Sequence, residues 1–176
     1  MLILLVGLTS SGKTTVAKIL EEKGFSIVCT GDVIRDEIKS RGMVYSIKND
    51  REMAKWFHDE GEELIIERIA HKLRGDNVVI DGIRSAEMLE KIEQITGNKP
   101  VILLIFSDFK KRFCRECERK KFPGFTKEDM KKRDDSHMDI GTKYLIERAD
   151  YTIDNTNLTK DELKEKLEKI LENINI

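Results

Sequence analysis

Gly7-Leu8-Thr9-Ser10-Ser11-Gly12-Lys13-Thr14 matches the phosphate-loop pattern G-x-x-x-x-G-K-[ST] at every fixed position. Leu2 to Val6, before it, is an apolar run of strand length, and Thr15 to Leu20, after it, begins a helical pattern. A strand, a glycine-rich turn and a helix N-terminus together form an anion site: backbone N–H groups point into the loop and the helix dipole favours negative charge there. The expected phosphate-binding set is Gly7, Leu8, Thr9, Ser10, Ser11, Gly12, Lys13, Thr14 and Thr15. Lys13 has the reach for the β- and γ-phosphates of a nucleoside triphosphate, and the Thr14 hydroxyl suits Mg²⁺.

The bulk composition narrows the class. A chain of 176 residues is enough for one domain with a real core, so 1–176 is read as a single unit. Charged residues make up 37%, above the usual share of about 25%. Their signs nearly cancel, 32 basic against 33 acidic, which gives no electrostatic reason to expect general nucleic-acid binding. The apolar run Met1–Leu8 is too short to span a membrane and lacks a basic flank, so a buried central strand accounts for it better than a leader does. Three cysteines, Cys29, Cys114 and Cys117, argue against a disulfide framework and for a reducing compartment; the expected location is cytoplasmic. Cys114-x-x-Cys117 has the spacing of half a zinc site or of a redox pair, but there is no second such pair and His137 is the nearby candidate ligand.

Strand-like runs alternate with helical patterns. Strands are expected at Phe25–Cys29, Asn77–Asp81, Pro100–Phe106 and Asp150–Asp154. Helices are expected over Asp32–Arg41, Asp50–Leu73, Ser85–Ile95, Phe109–Lys121, Thr126–Arg133 and Ile140–Arg148, with a last one opened by the capping box Thr159-x-x-Glu162. Phe122-Pro123-Gly124-Phe125 breaks the basic stretch. Such alternation implies an α/β fold with a doubly wound parallel sheet, and ligands then sit beyond the C-terminal ends of the strands.

The polar residues that follow strands are therefore the ones with chemical prospects. Asp81 ends an apolar strand, where an acid holds Mg²⁺ directly or through water; capping the next helix is its ordinary alternative. Arg84 follows after the permissive Gly82 and suits bidentate phosphate binding, against a surface ion pair. Asp32 and Arg35 share a helix face; they either pair with each other or leave Arg35 for the phosphate of a second substrate. Lys110 to Arg133 is rich in cations, most of them read as solvated surface. Arg119 and Arg133 flank the break and are placed on a flap able to close over transferring phosphates. The chain has no Asn-Lys-x-Asp guanine motif and no protein-kinase catalytic motif.

Together these motifs resemble the nucleoside monophosphate kinase group. Thr30-Gly31-Asp32-Val33-Ile34-Arg35 is similar to the adenylate kinase segment T-G-D-x-[LI]-R, whose arginine binds the acceptor phosphate. Val79 to Arg84 resembles D-G-F-P-R, one residue shorter before the arginine. Ser10 and Thr14 stand where adenylate kinases have glycine. Over nearly the whole chain the closer likeness is to the archaeal adenylate-kinase-related family, through Asp81-Gly82-Ile83-Arg84-Ser85, Arg133-Asp134, Gly141 and Ala149-Asp150-Tyr151-Thr152-Ile153-Asp154-Asn155. Dephospho-CoA kinases end similarly.

The resemblance implies a three-layer P-loop kinase fold with a five-stranded parallel sheet, a helical acceptor-binding insert over 32–73 and a lid over 119–133. It implies an ATP- and Mg²⁺-dependent phosphotransferase acting on a small acceptor, with a nucleoside monophosphate first and dephospho-CoA as the alternative. The expected roles are Lys13, Arg119 and Arg133 in catalysis, Asp32, Arg35 and Arg84 on the acceptor, and Thr14 and Asp81 on the metal. A nucleotide-binding regulatory protein with slow ATPase activity is the alternative from another class. A monomer or homodimer is expected.

Overall fold

The five apolar runs form one sheet in the order β2-β3-β1-β4-β5, with every neighbouring pair parallel. The strands are β1 (Leu2–Val6), β2 (Ser26–Cys29), β3 (Val78–Asp81), β4 (Val101–Phe106) and β5 (Tyr151–Asp154). A computed structural model describes residues 1–73, 75–120 and 122–174. The helices are α1 (Lys13–Glu22), α2 (Thr30–Ser40), α3 (Ile47–Asp59), α4 (Glu62–Lys72), α5 (Ala86–Thr96), α6 (Phe109–Glu118), α7 (Lys127–His137), α8 (Lys143–Glu147) and α9 (Lys160–Ile174). No helix among the described residues is long and apolar enough to cross a membrane.

β1 is central and buried along its whole length, so both of its faces need cover. The two-residue period of a strand divides it accordingly. Leu2, Leu4 and Val6 pack with residues of α2 to α5 and α8 on one side, while Ile3 and Leu5 pack with α1 and α9 on the other. The three layers follow from that division.

Three elements differ from the sequence reading. The long helix expected over Asp50–Leu73 is two helices. The N–H groups of Glu60 and Gly61 both return to the Trp56 carbonyl, at 2.9 and 3.0 Å, and α4 starts afresh after Gly61. The helices expected over Thr126–Arg133 and Ile140–Arg148 are one continuous run in which Met138–Thr142 forms a π segment, with Gly141 leaving helical geometry at φ +116°. The basic helix ends at Glu118, three residues earlier than expected; its expected end at Lys121, which is also part of the 119–133 lid, lies outside the described residues. The Thr159–Glu162 capping box forms as expected.

Candidate functional site

The phosphate loop bridges the end of β1 and α1. Gly12 sits at φ +116°, and a Cβ there would lie 2.1 Å from Asn155 Nδ2. Only glycine fits, because Asn155, just past β5, reaches in to donate to the Ser11 carbonyl at 2.8 Å. Lys13 Nζ donates to the carbonyls of Gly7 (2.7 Å) and Leu8 (3.2 Å), folding over the loop it follows. Burial lowers its pKa below the ordinary 10.5; Asp81 opposes this and Arg84 adds to it.

α6 braces the loop from behind, and this support escaped the sequence reading. Arg112 is buried and donates to the carbonyls of Ser107 (3.0 Å) and Thr9 (3.2 Å). It also makes a bidentate pair with Asp134 of α7, at 2.9 and 2.7 Å. Arg115 donates to the Ser11 carbonyl (3.3 Å) and to that of Asn155 (2.7 Å). Glu116 is 4% exposed and accepts from the Ser10 hydroxyl, from Arg119 (3.3 Å) and from Arg133 (3.5 Å). Ser10 itself stands at φ +61°, in the region where glycine is at ease. The departure from the adenylate kinase glycine thus brings a hydroxyl that ties the loop to Glu116. Arg112 and Glu116 lie four residues apart on one buried helical face. The reading of these cations as mostly solvated surface is corrected for Arg112 and Arg115.

The candidate metal pair is Asp81 and Thr14. Asp81 is paired in register with Leu5 of β1, beside the loop. Its side chain is 8% exposed by residue, and its Oδ1 has no hydrogen-bond partner among the described residues. It does not cap the next helix: Ser85 does, accepting from the Met88 N–H at 3.1 Å. Thr14 is exposed at the start of α1. A buried, unpartnered carboxylate oxygen with a hydroxyl at the loop fits Mg²⁺, which is held through one or two protein groups and substrate phosphates. Gly82 follows at φ +109°, and a Cβ there would meet Thr30 Oγ1 at 1.9 Å, so the β3–α5 turn must carry glycine to pass the start of α2.

The candidate acceptor residues separate into two kinds. Asp32 and Arg35 form an ion pair with each other, both well exposed. Arg84 is half-buried and makes neither a hydrogen bond nor an ion pair among the described residues; burial lowers its pKa, with Asp81 opposing. The alternative of a surface ion pair does not hold for it. Arg119 is half-exposed against Glu116, and Arg133 lies between Glu116 and Asp50 of α3, 3.4 Å from the latter. Arg133 also lies 5.5 Å over the Phe122 ring. The break at Phe122–Phe125 carries its own packing, with Phe125 stacked on Phe113 of α6 at 6.4 Å.

Trp56 and Phe57 belong to the core side: Phe57 is buried, and Arg41 covers Trp56 at 4.0 Å. Cys114 and Cys117 are exposed thiols, and no group of three metal-ligating side chains occurs among the described residues. His137 is not near them as a ligand; its charge neighbours are Arg84, Lys13, Arg133 and Arg112.

A hollow of about 410 Å³ opens beside the loop between Ser10, Gly12, Arg119, Asn155 and Leu158. A larger one, about 520 Å³, lies among Met1, Val78 and Val101, at the opposite ends of the strands. Ligands of such sheets bind at the C-terminal ends, which selects the first.

Residues 6–139, more than half of the chain, match the family described as an AAA domain. A UPF0200 protein of Pyrobaculum aerophilum is 33% identical over 172 residues, covering 94% of this chain and 93% of that one. The chain belongs to the UPF0200 family and to the AAA domain family. The archaeal relationship expected from the motifs is thereby met. A UPF0200/UPF0201 protein of Archaeoglobus fulgidus is also 33% identical, over 173 residues, and the chain spans only about half of that relative's length (53%). Among solved structures, shikimate kinase from Acinetobacter baumannii in complex with shikimate superposes with TM-score 0.61 at 21% identity, over 98% of this chain and 93% of that one. Shikimate kinase from Bacteroides thetaiotaomicron gives 0.64 at 13% identity, over 100% and 99%. These two place the UPF0200 chain in the P-loop kinase fold.

Proposed function

We propose that this UPF0200 protein is a phosphotransferase that moves the γ-phosphoryl group of ATP to a small acceptor, a nucleoside monophosphate. The observation that carries the reading is the half-buried Arg84, without a hydrogen bond or ion pair among the described residues, within the field of Asp81, whose Oδ1 is likewise unpartnered there. A protein that binds a single nucleotide has no use for a cation kept free on the far side of its phosphate loop. In this reading the loop amides and Lys13 hold the β- and γ-phosphates, and the donor base occupies the 410 Å³ hollow beside Arg119. Mg²⁺, held by Thr14 and Asp81, supplies charge neutralisation at the transferring group. Arg84 and Arg35 take the acceptor phosphate, Arg35 by leaving its exposed partner Asp32, a pair of little energetic weight. Arg119 and Arg133 exchange Glu116 for substrate oxygens as the 119–133 segment closes over the site. Positioning and charge neutralisation suffice for transfer between phosphates, and no strong base is required.

A coupled assay over nucleoside monophosphates, dephospho-CoA and shikimate tests the reading. Turnover with at least one monophosphate, lost in Lys13→Ala, is the expected result. Turnover only with the alcohol acceptors moves the assignment to hydroxyl phosphorylation. ATP hydrolysis that no acceptor stimulates sinks the two-substrate reading in favour of a nucleotide-binding regulator.

A further inference from the structure

His137 ends α7, immediately before the π segment, and nothing in the proposed reaction uses it. The residue is half-buried, but its Nδ1 is enclosed and has no hydrogen-bond partner among the described residues. Buried polar atoms are nearly always bonded, so such an atom needs an explanation. Cations of four elements act on it: Arg84 from the turn after β3, Lys13 from the start of α1, Arg133 from α7 and Arg112 from α6. The carboxylates of that neighbourhood are engaged elsewhere. Asp134 is held by Arg112 and Asp50 by Arg133, while the charge of Asp81 acts on Lys13 and Arg84. Burial first, and then these cations, push the His137 pKa down to about 2. The ring is therefore neutral at physiological pH, with one N–H to donate and one lone pair. Among the described residues none of the surrounding guanidinium groups donates to it, and Arg84 donates to no other group. Four buried side-chain polar atoms lack partners among the described residues: Ser11 Oγ and Asp81 Oδ1 belong to the loop and metal side, Thr142 Oγ1 to the π segment, and His137 Nδ1 shares with Asp81 the charges of Lys13 and Arg84.

The geometry points to His137 as an anion-binding residue of the acceptor side, whose Nδ1–H donates to an oxygen of a phosphomonoester that Arg84 also holds. The inference rests on the transfer reading above and sharpens it, because it requires an acceptor that brings its own phosphate to this point. An alcohol group brings no anion there. When the dianion arrives, it offsets part of the field of these four cations at the ring. The His137 titration therefore rises on binding while the ring stays neutral at physiological pH, a linkage that a structural histidine lacks.

The test uses the full chain labelled with ¹⁵N-histidine, in which the exposed His58 and His71 serve as internal controls. Inorganic phosphate and adenosine monophosphate are the probes. The expected result is a neutral His137 ring down to about pH 5 in the free protein. Saturating anion then moves its Nδ1 signal and raises its titration by about one unit or more, and Arg84→Ala requires about tenfold more anion for the same change. His137→Gln, which keeps a donor, is compared with His137→Ala. The alanine variant raises the acceptor KM about tenfold and leaves the ATP KM within about twofold, and glutamine restores part of the loss.

An unmoved His137 signal while loop amides respond to adenosine monophosphate overturns the inference and leaves the transfer reading standing. Equal losses for donor and acceptor in both variants also overturn it. A His137 that responds to inorganic phosphate in a protein that turns over no acceptor supports the anion site and sinks the transfer reading, so the two failures are distinguishable.

Discussion

Arg112 and Arg84 both bring a guanidinium to the phosphate loop, one from behind and one from in front. Behind, Arg112 is bonded to the Ser107 and Thr9 carbonyls and doubly to Asp134. In front, Arg84 is half-buried and bonded to nothing among the described residues. The rear wall is finished at Arg112, Arg115 and Glu116, each of which has partners within the chain. The front is left incomplete at Arg84, at Asp81 Oδ1 and at His137 Nδ1. A satisfied buried cation fixes a shape, whereas an unsatisfied one lowers stability until a ligand supplies the missing charge.

The comparison can be broken from either side. Arg112→Ala leaves Asp134 buried without its partner and should cost about 3–5 kcal/mol of stability, read as a lower melting temperature. A melting temperature equal to the parent's would mean that the rear wall is not a scaffold. Lys13→Ala should lower kcat/KM with the best acceptor about 10²–10³-fold without unfolding the chain. Arg84→Ala is the sharpest contrast with Arg112→Ala. It should leave melting unchanged or slightly raised, since a buried unpaired charge is removed, while the acceptor KM rises about tenfold to a hundredfold. Loss of stability in Arg84→Ala would erase the distinction between rear and front.

A further contrast lies away from the loop, at Glu37. Hydrogen bonds from Arg41, and with them Arg68 of α4, hold its carboxyl below the ordinary 4.5. That stabilisation is full above pH 4.5 and is lost as pH falls below it, so the stability gap between the parent and Glu37→Gln should narrow from pH 7 to pH 3 in denaturant titrations. A gap that is constant with pH would show that charge plays no part there. The smallest effect is expected for Ser10→Gly. It relieves about 1–3 kcal/mol of backbone strain and loses a bond to a buried carboxylate of similar worth, so stability should change by about 1 kcal/mol or less. The telling measurement is the affinity for ATP, which should weaken if Glu116 positions the loop through that hydroxyl.

The front of the site was largely legible in the sequence, because its parts sit at the ends of apolar strands. Gly7–Thr14, Asp81 and Arg84 each follow a run that a parallel sheet has to bury, and the strand-end rule finds them. The rear wall was not legible in the same way. Arg112, Arg115 and Glu116 lie in a basic helix whose composition reads as solvated, and their partners Thr9, Ser10 and Ser11 are about a hundred residues away. Only the packing of α6 against the loop tells Arg112 from Lys111. The π segment was hidden for a related reason: Gly141 falls inside the helix expected over Ile140–Arg148, and only the packing of the turn after β3, with the Arg84 carbonyl 3.3 Å from where its Cβ would be, marks the position as special.

The central position of β1 has a consequence for how the molecule comes to exist. β1 is made before the other four strands, yet its two neighbours in the sheet begin at Val78 and Val101. On the ribosome the opening strand therefore has no lateral partner until the α2–α4 region and β3 have emerged, and contacts of such long sequence separation form slowly. The loop that follows it waits longer still, for Arg115 and finally for Asn155 to close over Gly12. The loop thus completes its anion site only after Asn155, more than a hundred residues later, has been made. Recovery of nucleotide binding during refolding should coincide with the final kinetic phase rather than with the first burial of apolar surface.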